Sequence, residues 1–157
     1  MHVRMVGEDW LYVLGPRVKF LTKDTVGDSY SVLLGAMPPG VVVPLHRHED
    51  RETFYVLHGA VEGFLDGEWL ELQSGDVLDI PGNQMHAWRN TSENEVQMII
   101  VTTERLAEFF REVGEPIGDK HPSSIMDRIA ALVSAAERYG HYMASPAENE
   151  AIGLRVG

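Results

Sequence analysis

The chain has 157 residues, with 24 Asp and Glu against 13 Lys and Arg, a formal net charge of −11, and no cysteine. An acidic balance without a basic cluster disfavours nucleic acid and anionic membrane surfaces as partners. The lack of Cys excludes disulfides, thiolate nucleophiles and cysteine-bound metals, so any chemistry rests on His, carboxylates or hydroxyls.

The composition is ordinary for a folded chain, with 44% hydrophobic and 24% charged residues, and the length suits one domain. No apolar run approaches the roughly 20 residues that span a bilayer. The first dozen residues lack the apolar stretch of a secretory signal, so a cytoplasmic location is expected.

The first two-thirds read as short strands. Segments 29–37, 41–46, 53–59, 61–72, 76–82 and 95–103 are rich in Val, Ile, Leu and aromatics. Gly, Pro, Asn and Asp separate them at the spacing of a β-sandwich or barrel. Asp66-Gly67, between two apolar runs, predicts a tight hairpin, because both central positions of that turn need positive φ. Pro38-Pro39-Gly40 and 73–76 mark further turns.

Beyond about residue 103 the period changes. Thr103 caps a predicted helix with Leu106, Phe109, Phe110 and Val113 on one face and Gly114 as its stop. After a connector over 115–122, Ser123 or Ser124 caps a second. That helix repeats Ile125, Met126, Ile129, Leu132, Val133 and Ala136 along one face, and Gly140 suits a left-handed cap. Residues 144–157 carry no assignable pattern. The simplest architecture is an all-β barrel over 1–103, followed by a helical extension over 104–157 within the same domain. The helices pack on the barrel or on a partner subunit.

The informative cluster is His46-x-His48, with Glu52 after a short turn. Residues two apart on a strand share a face, and the next strand returns the carboxylate beside them. Two imidazoles and a carboxylate suit one divalent transition metal: iron, manganese, nickel, cobalt, copper or zinc. His86 is a fourth candidate ligand. Trp88 shares strand parity with His86, and Phe54 and Val56 share it with Glu52. Phe54 and Trp88 are therefore candidates to line a substrate pocket, against the plainer role of filling the barrel. His2, His58, His121 and His141 read as solvated. Asn90 reads as a turn-fixing side chain.

Residues 40–59 resemble the first motif of the cupin family, with Gly40, His46, His48, Glu52 and Gly59 in place. Residues 75–90 resemble its second motif through Gly75, Pro81, His86 and Asn90. One position departs: Asn83 stands where the family usually has Gly, and Asn tolerates left-handed backbone. The stretches FFREVGEP and ERYGHY are similar, less specifically, to small single-domain cupins of the quercetin-dioxygenase-like group. The resemblance implies a mainly β fold, the double-stranded β-helix or jelly-roll barrel, with C-terminal α-helices. It also implies a metal held by His46, His48, Glu52 and His86, and a homodimer.

The function so implied is a metal-dependent dioxygenase acting on a small enolic or phenolic, flavonol-like substrate, with Glu52 as catalytic base. Two alternatives stand beside it. One is a non-oxidative isomerase or polyketide cyclase using the metal as a Lewis acid. The other is a barrel that binds a small molecule without turnover.

Overall fold

Burial alternates with a period of two along stretches such as 52–56, 77–80 and 96–102, as strands with one face toward a core require. The computed structural model describes residues 10–23, 29–117 and 124–155. Its strands are β1 (Leu11–Tyr12), β2 (Arg17–Phe20), β3 (Ser31–Met37), β4 (Val42–Arg47), β5 (Glu52–His58), β6 (Ala60–Leu65), β7 (Glu68–Gln73), β8 (Val77–Ile80), β9 (His86–Arg89) and β10 (Val96–Thr102). Then follow α1 (Glu104–Val113), β11 (Glu115–Pro116), α2 (Ile125–Arg138), β12 (Tyr142–Met143) and α3 (Pro146–Ala151).

The strands form two antiparallel sheets. One has the order β11-β1-β2-β3-β10-β5-β8 and the other β12-β4-β9-β6-β7. Their dry faces meet in a single core in which Phe54, Val56, Met98 and Ile100 of the first sheet pack with Val61, Leu65, Leu72 and Trp88 of the second. This is the expected jelly-roll barrel with C-terminal helices. β6 and β7 join through Asp66 and Gly67 at φ 51° and 83°, the tight hairpin predicted from the Asp-Gly pair. Asn90 ties its loop together as expected: its amide donates to the carbonyls of Met37 and Asn94, and its oxygen accepts from Ser92 N–H.

The helices depart from the sequence reading in one respect. Thr103 and Ser124 cap α1 and α2 as predicted, while Ser123 lies outside the described residues. α2, however, buries Ala135 and Ala136 and packs on Leu106 and Phe109 of α1. Small side chains let the two helices approach closely. The bulky stripe of Ile125, Met126, Ile129 and Val133 stays exposed. None of the described helices is long and apolar enough to cross a membrane.

Residues 142–155, most of them in the stretch without a periodic pattern, are built into the barrel. β12 pairs with β4, opposing Tyr142 to Arg47 and Met143 to His46. α3 opens with a capping box of Ser145 and Glu148, and its Asn149 is fully buried. Asn149 Oδ1 accepts from Leu45 N–H at 2.9 Å, and Ala144 N–H donates to Leu45 O at 3.0 Å. The Asn149 amide itself donates to the carbonyl of Ser145 at 3.0 Å. Both backbone groups of Leu45, one residue before His46, are thus satisfied by the C-terminal extension. Asn149→Ala leaves a buried N–H unpaired and is expected to cost about 2 kcal/mol, a fall of roughly 4–8 °C in Tm. An unchanged thermal melt would refute that role for the side chain.

Candidate metal centre

β4 carries His46, and His48 lies one residue past its end. β5 opens with Glu52, and β9 opens with His86 opposite His46. The β4–β9 ladder is irregular between Val43 and His46, where Pro44 has no N–H to contribute. The turn after Pro81 is pinned to the 48–49 backbone. A Cβ on Gly82 would meet the Glu49 carbonyl oxygen at 2.3 Å, so only glycine fits there. Asn83 takes the left-handed conformation, at φ 65°, and its N–H donates to His48 O at 2.6 Å. The departure at residue 83 is therefore absorbed, and His86 is aimed into the barrel.

Side-chain nitrogens of His46, His48 and His86 all lie within 4.8 Å of one another. Glu52 Oε2 sits 3.2 Å from His48 Nε2 and 3.0 Å from His86 Nε2. Glu52, His48 and His86 are each under 5% exposed. His46 Nδ1 donates to Pro44 O at 2.7 Å and His86 Nδ1 to Gln84 O at 2.8 Å. A carbonyl only accepts, so these bonds put a proton on Nδ1 and turn Nε2 of both rings into the site. Three imidazoles and a carboxylate without sulfur fit a borderline or hard divalent ion, and the anchored tautomers fit ligation through Nε2.

The electrostatics follow from this crowding. Burial, and then the facing His86, push His46 down to about 3. Burial would also lower His48, but its hydrogen bond and charge interaction with Glu52 hold it above its ordinary value. Burial would raise Glu52, yet hydrogen bonds from His48 and His86 keep it well below the usual carboxylate range. Without metal, Glu52 is thus an ionised carboxylate between two imidazoles.

Phe54 and Trp88 occupy the next layer, two residues along from Glu52 and His86. Their ring centroids are 4.6 Å apart, and both are in the core at 5% and 3% exposure. His58 is exposed, as expected. His2 and His121 lie outside the described residues. The reading of His141 as solvated is corrected. Its ring lies 4.9 Å from His48 and 4.3 Å from Phe109, and its Nε2 is buried. Gly140 at φ 73° ends α2 and turns the chain so that His141 points back at the barrel. Burial, then the neighbouring His48, lower His141 to about 4. No spacing in the sequence links it to the other histidines.

These shifts predict an acid-labile metal-free protein. His46 and His141 have folded-state values below the ordinary 6.5 of an unfolded chain. The unfolded state therefore takes up protons that the folded state refuses as pH falls from about 6.5 toward 4. Glu52 adds to the loss only below the carboxylate range. His48 opposes it, since its own contribution is lost as pH rises. The Tm of the stripped protein should fall by on the order of 5 °C between pH 7 and pH 5. A flat or rising Tm over that range contradicts the assignment.

Two antiparallel sheets thus enclose an inward cluster of three histidines and a carboxylate. A family model described as a cupin domain matches residues 33–102. The chain is 32% identical over 101 residues to quercetin 2,3-dioxygenase of Bacillus subtilis (strain 168), covering 64% of this chain and 30% of that protein. It is 37% identical over 81 residues to polyketide synthase CurC of Streptomyces cyaneus, covering 50% and 53%. The chain thus spans less than a third of the first relative and about half of the second. In fold it is similar to a cupin 2 conserved barrel domain protein from Salinispora arenicola, with a TM-score of 0.56, 21% identity, and 88% and 98% of the two chains covered.

Proposed function

We propose that the protein is a metal-dependent dioxygenase acting on a small enolic or phenolic substrate. The observation that carries this reading is the convergence of His46, His48 and His86 within 4.8 Å, with Glu52 in hydrogen-bond range of two of them. The likeness to a quercetin 2,3-dioxygenase over 101 residues supports it. The three imidazoles, with Glu52, would hold one divalent transition metal. When bound, the metal supplies Lewis acidity and a template that brings substrate oxygen and dioxygen together.

The chain's own residues do the rest. Pro44 and Gln84 carbonyls fix the tautomers of His46 and His86. Glu52 receives the substrate hydroxyl proton at a carboxylate oxygen. An enol or phenol hydroxyl is more acidic than that of a simple alcohol and suits a carboxylate base. Phe54 and Trp88 form an apolar floor that keeps water from the next layer.

Oxygen consumption tests the proposal. The protein is loaded in turn with iron, nickel, cobalt and manganese and offered a panel of flavonols and enols. Substrate-dependent oxygen uptake with at least one metal is expected, and none with any metal overturns it. The likeness to CurC favours a second reading, a non-oxidative cyclase or isomerase using the metal as Lewis acid. Turnover under strict anaerobiosis identifies that chemistry, whereas retention of an unconverted ligand marks a binding barrel. The homodimer stays part of the proposal, because α2 leaves an apolar stripe uncovered, and light scattering decides it.

A further inference from the structure

Two of the three imidazoles at the centre are fixed by their own strands, and the third is not. His46 and His86 each donate Nδ1–H to the carbonyl two residues back, Pro44 and Gln84. His48 also turns Nε2 into the site, 3.2 Å from Glu52 Oε2. Its Nδ1, however, is buried without a hydrogen-bond partner among the described residues. A ligating imidazole keeps its plane and tautomer through a partner at its other nitrogen. His48, one residue past β4, has only the Asp50 backbone near it, short of full hydrogen-bond geometry.

What stands beside His48 comes from its own turn and from the far end of the chain. The His141 ring lies 4.9 Å from it, and the Asp50 carboxylate bears electrostatically on both imidazoles. His141 is held from three directions. Phe109 of α1 packs on its ring at 4.3 Å, its N–H donates to Ala136 O at 2.8 Å, and β12 begins at the next residue, paired with β4. Asp50 is anchored at Oδ1, which accepts from Thr103 Oγ1, the cap of α1, at 2.5 Å. Asp50 Oδ2 and His141 Nε2 are both buried and unpartnered among the described residues, like His48 Nδ1. Two ring nitrogens and a carboxylate oxygen are thus left over, buried, on three neighbouring side chains. A simple packing role for His141 accounts for its ring contacts but not for a buried nitrogen beside a buried carboxylate.

We infer that His141 is a positioning residue of the metal centre. With Asp50 it holds the His48 imidazole in the plane and tautomer that ligation needs, so the C-terminal extension sets metal affinity. This rests on the metal-binding reading above, and it assigns work to a part of the chain that contains no ligand.

The test uses the full chain stripped of metal and titrated with cobalt(II) against a competing chelator, recording affinity and the visible d–d spectrum. His141→Phe keeps a ring between Phe109 and His48 but removes both nitrogens. It should weaken cobalt binding by about 10–100-fold and alter the spectrum, whereas His141→Gln, with a polar group near Nε2, should stay within about threefold of the unmodified chain. His141→Phe matching the unmodified chain in affinity and spectrum overturns the inference. So does His141→Gln being as weak as His141→Phe, since the nitrogen is then not what was lost. Should His141→Phe not fold, Asp50→Asn perturbs the same group of atoms without touching the extension, and an unchanged affinity there overturns the inference equally. An unmodified chain that takes up no cobalt overturns the metal reading itself, an outcome distinct from all of these.

Discussion

A chain with His46 or His48 replaced by alanine is expected to lose stoichiometric metal. Each imidazole is one of three whose nitrogens lie within 4.8 Å of one another. Removing a partner that merely orients a ligand typically costs 10–100-fold in metal affinity, so removing a ligand should cost more than about 100-fold. Elemental analysis of the purified proteins checks this directly, and full occupancy in both variants refutes the site. A thermal melt provides a second reading. Metal bound at a thousand times its Kd stabilises the fold by about 4 kcal/mol, so a chelator should lower the Tm of the unmodified protein by on the order of 10 °C. The two alanine variants should not respond to chelator. Circular dichroism guards against misfolding, because His46→Ala also frees the Pro44 carbonyl.

Glu52→Gln should separate binding from turnover. The glutamine keeps the shape and one oxygen of the side chain but cannot accept a proton at neutral pH. Loss of a positioned general base lowers rate by on the order of 10²–10⁴-fold. Metal content should fall far less, since His46, His48 and His86 remain in place. Glu52 is ionised and hydrogen-bonded to both His48 and His86, so the variant also loses two charge-assisted bonds and is expected to melt at lower temperature. Turnover per bound metal is the deciding quantity. If Glu52→Gln turns over at the unmodified rate per metal, Glu52 is not the base. If metal and turnover fall in the same proportion, its part is ligation alone.

The convergence of His46, His48 and Glu52 was legible in the chain because strand geometry is a local rule. A spacing of two puts His46 and His48 on one face, and the short turn through residue 51 returns Glu52 beside them. His86 was legible only through its motif, since nothing periodic brings residue 86 opposite residue 46. That pairing is a register of β4 with β9 across an irregular ladder. The hairpin at Asp66-Gly67 and the caps at Thr103 and Ser124 were likewise readable, each being decided within four residues. The face that α2 buries was legible only in part: Leu132 and Ala136 of the predicted stripe pack toward α1, with Ala135 added, while Ile125, Met126, Ile129 and Val133 stay exposed.

The C-terminal extension marks the sharpest division. Its capping box at Ser145 and Glu148 was there to be read, yet 144–157 showed no period, because a six-residue helix is too short to display one. Asn149 reaches Leu45 across 104 positions, and His141 reaches His48 across a similar stretch. The sequence by itself determined a β barrel with a nitrogen-and-oxygen donor set, since alternation, turn residues and the absence of cysteine act locally or through composition. Only the tertiary structure decided which strand edge the tail would cover and which histidine would stand behind His48. Those choices come from pairing and packing free energy between distant segments, and neighbouring residues carry no record of it.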